Sequence, residues 1–334
     1  MLVSFRRKRE QMRRREFMTL LGTALAWPLA ARAQQSAMPV IGVLSASSPD
    51  AANPDIAAAF EKSLAERGYV VGRNVAIERR WAGGEYDRLD ELAKELVRLN
   101  PALILVAGNV VALAAMRTTS TIPIVFNIAS DPVKIGLAKS FASPGGNATG
   151  ISLMTATLTL KRLELIRELV PQSATIGLLV NPDNQDSLAE LEDVAHSTGQ
   201  SLKIVKAGNI GDLEPAFAEL VGARVGAVLV SNDAFFLSQR VQLVALAKRN
   251  SLPANYEFRE FPAIGGLMSY GPNLVATYQK IGTYAALILK GSRPSDLPIQ
   301  QPTAFELVIN TATARSLGIQ IPPSFLLRAD EVIE

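Results

Sequence analysis

Cysteine is absent from this sequence, and histidine occurs once, at His196. A chain without cysteine has no thiol nucleophile, no disulfide and no thiolate metal ligand. Without cysteine, Cys-His arrangements lack their nucleophile and one histidine is too few for the usual zinc sites. A Ser-His-Asp arrangement would have to use His196. We interpret His196 as a surface residue near a helix end. The Walker A, G-x-S-x-G and G-x-G-x-x-G motifs do not occur. The sequence therefore predicts no enzyme, no metal and no cofactor, and a hydrolase using only Asp, Ser and Tyr is the alternative.

Aromatic residues make up only 6% of the chain, whereas Ala, Leu, Ile and Val are abundant. This composition is typical of buried parallel strands flanked by helices. The formal net charge is +3, and the seven Lys and Arg residues between positions 6 and 15 exceed that whole surplus. The rest of the chain is mildly acidic, so the basic balance argues for export and against nucleic-acid binding.

The amino terminus has the pattern of an export signal. A basic segment is followed by an apolar segment too short to span a bilayer and then by Ala31-Arg32-Ala33. We expect residues 1–33 to be a signal peptide, and Arg14-Arg15 resembles the twin-arginine type. The expected location is the periplasm. A retained membrane anchor is the alternative, and Met12 is a second candidate start.

From residue 39 onward, short apolar runs alternate with amphipathic helices. In the first half the predicted strands are 39–44, 75–81, 103–107 and 122–126, and in the second half they are 174–180, 202–206, 227–230, 253–256, 264–269 and 305–310. Helices are predicted between them, including 186–199 and 234–250. Such alternation predicts an α/β fold of two Rossmann-like parallel-sheet lobes. We expect one lobe from 39–148 plus about 272–296, and the other from 149–271 plus about 300–334.

Three crossings between the lobes are expected. The Gly- and Asn-rich stretch 126–152 is interpreted as the first crossing. The helix predicted over 274–290 should pack back on the first lobe, and the strand over 305–310 should join the second. Two lobes joined in this way form a hinge that closes on a ligand.

Small polar residues follow several strands directly. In the first half they are Ser45, Asn109, Asn127 and Asp131. The loops after parallel strands meet at one sheet edge, where ligands bind. Helix capping is the structural alternative for each residue, and both roles are compatible.

Five segments together resemble one known family. They are RWAGGEYDRL, TIPIVFNIASDPVKIGLAKSFASPGGNATGIS, SNDAFF, ILKGSRPSDLPIQQPTAFELVIN and RADEVIE. The chain resembles the ABC-transporter substrate-binding proteins of the tryptophan/tyrosine-binding type. This resemblance implies a periplasmic-binding-protein type I fold, and a receptor that delivers a small solute to membrane permease subunits driven by a separate ATPase. A monomer is expected. A periplasmic ligand sensor for a membrane kinase would share these features.

The resemblance also implies the residues of the cleft. On lobe one they are Ser45, Asn109, Asn127 and Asp131, and on lobe two Ser152, Asn181, Asp233, Tyr256 and Ser269. For an amino acid, the hydroxyls and amides would hold the carboxylate, Asp233 or Asp131 the ammonium, and Tyr256 or Tyr270 would supply a flat wall. Trp81 follows an edge strand and is not expected to stack on the ligand. Amino acids, other carboxylates and urea-like solutes all stay open as cargo.

Overall fold

The computed structural model describes residues 38–334 except 50–52, 173–174, 186–187, 189–190 and 193–200. The predicted signal peptide, most of the helix expected over 186–199, and His196 lie outside the described residues. Within them, no helix is long and apolar enough to cross a membrane.

The first sheet is parallel throughout, with strand order β2-β1-β3-β4-β5 among the described residues. Its strands are β1 Val40–Ser45, β2 Ala76–Trp81, β3 Leu103–Ala107, β4 Ile124–Ile128 and β5 Ala148–Ser152. The helices between them are α1 Pro54–Ala65, α2 Leu89–Arg98 and α3 Asn109–Thr118. The central strands β3 and β4 are almost fully buried, as expected for a parallel sheet covered on both faces.

The second sheet has the order β12-β11-β10-β9-β8-β6-β7. Its strands are β6 Ile176–Val180, β7 Leu202–Lys206, β8 Ala227–Val230, β9 Ala254–Tyr256, β10 Met268–Pro272, β11 Phe305–Asn310 and β12 Glu331–Ile333. The helices that follow β5 are α4 Thr155–Leu169, α5 Leu213–Gly222, α6 Ala234–Ser238, α7 Arg240–Arg249, α8 Leu274–Leu289, α9 Thr311–Ser316 and α10 Pro323–Leu326. The β10–β11 pairing is antiparallel and the other pairings are parallel.

Helix α8 returns from the second sheet to the first. It packs along α1 and contacts β3, β4 and β5. A Cβ atom on Gly282 would lie 2.8 Å from the carbonyl oxygen of Phe60 and 2.7 Å from the Cβ of Ser63, so glycine is what permits this close approach. After α8 the chain runs beside β5, where the hydroxyl of Thr149 donates to the carbonyl of Leu297 over 2.7 Å. It then enters β11 of the second sheet. The predicted α/β architecture with a three-crossing hinge is confirmed.

Three local features differ from the sequence interpretation. The strand predicted over 264–269 is observed at Met268–Pro272, and a short 3-10 helix, Pro262–Ile264, precedes it. The stretch interpreted as the first crossing contains β5, which pairs with β4 and extends the first sheet to Ser152. Its sequence ATGIS is short and has little apolar character, so no strand is predicted there. The single helix predicted over 234–250 is two helices, because the chain leaves helical geometry at Gln239.

A buried cation anchors α4 to the second sheet. The guanidinium of Arg162 donates to the carbonyls of Val230 and Asn255 over 2.6 and 2.8 Å. It lies 3.8 Å from the Glu257 carboxylate, and both side chains are 2% exposed. Burial lowers the pKa of Arg162 to about 10 and raises that of Glu257 to about 7. Glu257 also accepts from Asn232 over 2.9 Å, so this pair positions the loop after β8.

The pKa of Glu257 predicts a pH-dependent contribution to stability. Its folded-state pKa of about 7 exceeds the ordinary value of 4.5, so between these pH values the folded chain keeps a proton that the unfolded chain has lost. This contribution is present below pH 4.5 and is lost as the pH rises through 7. Glu257→Gln does not titrate. Its unfolding free energy relative to the wild type should therefore rise by about 1–3 kcal/mol between pH 4.5 and 8, measured by urea denaturation. Parallel pH profiles would contradict the assignment.

Candidate functional site

A cavity of about 330 Å³ lies where the first sheet meets α1, α8 and the second lobe. We call it the apolar chamber. Its lining from the first sheet, α1 and α8 includes Val43, Ser45, Ile56, Phe60, Ile77, Trp81, Leu105, Val125, Tyr278 and Ile281. Ala234, Leu237, Arg240 and Glu260 line it from the second lobe. Its volume and mainly hydrophobic lining are typical of a small-molecule site.

A second cavity of about 90 Å³ adjoins the first. We call it the polar chamber. The two chambers share Ile56, Ala107, Ala234, Leu237 and Tyr278, so they are contiguous. Polar side chains that line the polar chamber are Tyr86, Asn109, Asn127, Asn184, Asn232 and Asp233. The cleft therefore joins a large, mainly apolar compartment to a smaller one in which several amides and the Asp233 carboxylate are gathered.

The amino terminus of α3 faces the polar chamber. Gly108 occupies the N-cap position with φ 99° and makes no side-chain cap hydrogen bond, and a positive φ of this kind favours glycine. Gly108, Asn109, Val110 and Val111 all line the chamber. The first turn of a ten-residue helix thus presents backbone N–H groups and positive dipole potential to the cleft.

The Asn109 side chain positions the loop after β4. Its Oδ1 accepts from the backbone N–H groups of Ala129 and Ser130 over 3.0 and 3.3 Å. Its Nδ2 donates to the Ser130 hydroxyl over 2.8 Å. These bonds occupy the amide, so Asn109 shapes the polar chamber through the loop that it holds.

Asn127 presents an acceptor with no partner. Its side chain is 8% exposed and lines the polar chamber. Burial raises the pKa of the Tyr278 phenol and the nearby Asn127 side chain opposes this shift, whereas Oδ1 of Asn127 has no hydrogen-bond partner. A buried carbonyl oxygen without a donor is unfavourable by about 1–3 kcal/mol. A ligand that donates a hydrogen bond there would remove this penalty.

The Asp233 carboxylate accepts four hydrogen bonds in the cleft. It caps α6 by accepting from the N–H of Phe235, and it also accepts from Asn181, Asn184 and Tyr86, all over 2.8–2.9 Å. Burial raises the pKa of the Asp233 carboxyl, and these donors act in the opposite direction. Tyr86 belongs to the first lobe. The Tyr86–Asp233 bond therefore joins the two lobes across the polar chamber.

A second bond joins the lobes at the apolar chamber. The Asn53 amide, which caps α1, donates to Oε1 of Glu260 over 3.0 Å. Glu260 lies between β9 and β10 of the second lobe. Burial is the main cause that raises the pKa of its carboxyl. Hydrogen bonds therefore join the two described lobes at both chambers.

Four of the ten residues predicted for the cleft line these chambers: Ser45, Asn109, Asn127 and Asp233. Asn181 lines neither, but it donates to Asp233. Asp131 caps its own turn by accepting from the N–H of Val133 over 2.8 Å. Ser152 lies on the first sheet, not on the second lobe, and donates to the carbonyl of Ser130 over 2.9 Å.

The aromatic side chains that line the two chambers are not the ones predicted for the flat wall. Tyr256 stacks on Phe261 with ring centroids 4.3 Å apart, inside the second lobe, and Ser269 on β10 is fully buried. Tyr270 packs beside Phe305. Trp81 and Tyr278 line the apolar chamber instead. Trp81 pairs with Ser45 in the register of β1 and β2, and both residues line the apolar chamber.

Among the described residues, no group of three or more His, Cys, Asp or Glu side chains could hold a metal ion. The comparisons with known proteins agree with a site for an organic solute. The family model described as ABC transporter substrate binding protein matches residues 40–333.

The chain belongs to this family. The predicted resemblance is thereby confirmed, and the family comprises solute-binding proteins, not enzymes. A tyrosine-binding protein of Clostridioides difficile (strain R20291) is 27% identical over 264 residues, which are 78% of this chain and 76% of that protein.

Two solved structures also resemble this chain. The ABC domain of Streptococcus pneumonia in complex with L-Trp is 26% identical, with a TM-score of 0.79. A conserved domain protein from Vibrio cholerae O1 biovar eltor is 27% identical, with a TM-score of 0.80. Each comparison covers 88% of this chain and 99% of the other. Periplasmic binding proteins of lower identity share the fold, which confirms the predicted type I fold.

The hydrogen bonds of Asp233 predict that truncating its side chain destabilises this substrate-binding protein strongly, even without ligand. Asp233→Ala removes the cap of α6 and leaves the buried amides of Asn181 and Asn184 without their acceptor. We expect it to lower the unfolding free energy by about 2–4 kcal/mol, measured by urea denaturation. Asp131→Ala is the matched control, because its bonds lie at an exposed turn, and it should lower that free energy by about 1 kcal/mol or less. Equal losses would contradict the special role of Asp233.

Proposed function

We propose that this chain is the periplasmic receptor of an ABC importer and that it binds an aromatic L-amino acid between its lobes. The observation that carries the proposal is the joining of a large apolar chamber to a small polar chamber that has both a helix amino terminus and a free acceptor. The named ligands of two relatives, tyrosine and L-Trp, are aromatic amino acids and fit this division.

The polar chamber suits the α-amino and α-carboxylate groups. Backbone N–H groups at the start of α3 would hold the carboxylate, since a helix amino terminus favours negative charge. Oδ1 of Asn127 would accept a hydrogen bond from the ammonium, and the nearby Asp233 carboxylate would add a favourable field. This assignment differs from the sequence hypothesis, which placed Asn127 on the carboxylate.

The apolar chamber suits the aromatic side chain. Trp81, Phe60 and Tyr278 line it together with aliphatic residues of the first sheet. Aromatic groups of this kind contribute large buried area and prefer tilted or offset ring contacts. Since the two chambers meet at Ile56, Ala107 and Leu237, one amino acid can occupy both.

Hinge closure would complete the site. The Tyr86–Asp233 and Asn53–Glu260 bonds connect the lobes on either side of the ligand position, and separating the lobes would break both. A ligand that contacts both lobes favours the closed state by its difference in affinity between the two states. We propose that the closed receptor then docks on permease subunits of the inner membrane.

Binding of L-Trp and L-Tyr should raise the melting temperature of the mature protein with increasing ligand concentration, measured by thermal shift and quantified by calorimetry. Tryptamine and indole-3-propionate each lack one charged group, and we expect them to bind at least about tenfold more weakly than L-Trp. Small-angle scattering should show a smaller radius of gyration with L-Trp than without it. If no aromatic amino acid shifts the melting temperature while another solute class does, the proposal is wrong.

Asn127→Ala should weaken L-Trp binding about tenfold, because it removes the acceptor assigned to the ammonium. The affinity for indole-3-propionate, which has no ammonium, should change little. Calorimetry on both ligands measures the difference. Ser152→Ala is the control, since Ser152 is also buried but lines neither chamber, and it should leave both affinities unchanged. Equal losses for the two ligands would exclude a contact between Asn127 and the ammonium.

A further inference from the structure

A carboxylate lies on the wall of the otherwise mainly hydrophobic apolar chamber. Among the described residues that line this chamber, Glu260 is the one that carries a carboxyl group. Its Oε1 accepts from Asn53 across the lobes. Its Oε2 is buried and has no hydrogen-bond partner. A carboxyl acceptor is therefore held beside the space assigned to the ligand.

A buried carboxylate oxygen without a donor is unfavourable, and hydrogen bonds to charged groups are among the stronger ones in proteins. The two arginines of the chamber wall, Arg79 and Arg240, can donate but cannot accept. A hydrogen-bond donor on the ligand is thus matched by Glu260 and not by these cations.

The position of Glu260 decides which part of the ligand reaches it. Glu260 lines the apolar chamber and does not line the polar chamber, where the proposed function places the ammonium at Asn127. The part of the ligand beside Glu260 is then the ring. The indole N–H and the phenolic O–H are ring-borne donors, whereas a plain phenyl ring has none.

We propose that Glu260 is a specificity-determining residue that accepts a hydrogen bond from the ring of the bound amino acid. This inference rests on the proposed function and narrows its ligand class to aromatic amino acids with a donor on the ring. A site built to bond a ligand hydroxyl rejects the analogue that lacks it strongly, because the polar group of the site is then left unpaired. The receptor therefore prefers L-Tyr and L-Trp to L-Phe.

L-Tyr and L-Phe differ by the phenolic hydroxyl alone, so their affinity ratio isolates this contact. Calorimetry on the wild type should give L-Tyr an affinity at least about tenfold higher than that of L-Phe. In Glu260→Leu the ratio should fall to about one, through loss of L-Tyr affinity while the L-Phe affinity is kept or increased. Glu260→Gln keeps an uncharged acceptor, and its ratio should be intermediate.

Glu306→Gln is the matched control. Glu306 also has a buried oxygen without a partner, Oε1, but it lines neither chamber. Besides burial, the Glu306 charge raises the pKa of Glu260, so this variant changes the electrostatic field at Glu260 and leaves its contact with the ligand in place. Its variant should keep the wild-type ratio. Unfolding curves verify that each variant is folded, and Glu260→Gln supplies the test if Glu260→Leu does not fold.

Three results would overturn the inference. Equal losses for L-Tyr and L-Phe in the Glu260 variants would place the carboxylate at the ammonium. A wild-type ratio near one, or a ratio unchanged by both Glu260 variants, would remove Glu260 from ring recognition while aromatic binding itself persists. A wild type that binds neither amino acid would reject the proposed function and this inference with it.

Discussion

The buried carboxylate of Asp233 is the interaction on which the arrangement of the cleft depends. It takes donors from its own helix, from the turn after β6 and from Tyr86 of the other lobe. A carboxylate this deeply buried persists only when donors surround it. Because one donor comes from the opposite lobe, the network is complete only while the lobes touch. The position of the loop after β8 therefore depends on the relative position of the two sheets. Within the second lobe, Arg162 and Glu257 also bond to this loop, at Val230 and Asn232.

The sequence was sufficient to predict the fold and the edge of the sheets that carries the cleft. Ser45, Asn109, Asn127 and Asp233 were found because each follows a strand closely, and parallel strands bring such residues to one edge. The same rule also selected Asp131 and Ser152. A polar residue that caps a turn or hydrogen-bonds within a loop has the same residue type and position in a sequence as one that contacts a ligand. Residue type and position therefore located the edge without separating the two roles.

The residues that line the apolar chamber could not be predicted from local sequence patterns. Tyr278 and Ile281 line it from α8, a helix that returns to the first sheet from the far side of the second lobe. Ile56 and Phe60 lie on the face of α1 that packs toward the core, where helical periodicity predicts only burial. Nothing in their spacing distinguishes a cavity wall from a filled core. Trp81 is different, because its position at the end of β2, paired with Ser45 of β1, indicates the sheet edge that borders the cleft.

The two chambers each contain a buried hydrogen-bond acceptor without a protein partner, and these acceptors connect ligand recognition with the proposed closure of the lobes. Oδ1 of Asn127 and Oε2 of Glu260 lie in different chambers, one on each lobe. Closing the cleft removes both from water, and each desolvated acceptor opposes closure by about 1–3 kcal/mol. An ammonium and a ring-borne donor on one molecule would satisfy both at once. A ligand with both groups would therefore shift the hinge equilibrium more than its contact area implies, because it also removes the penalty that opposes closure. A hydrophobic ligand of the same shape would fill the cavity and leave that penalty in place, so the hinge itself would add to the selectivity of the pocket.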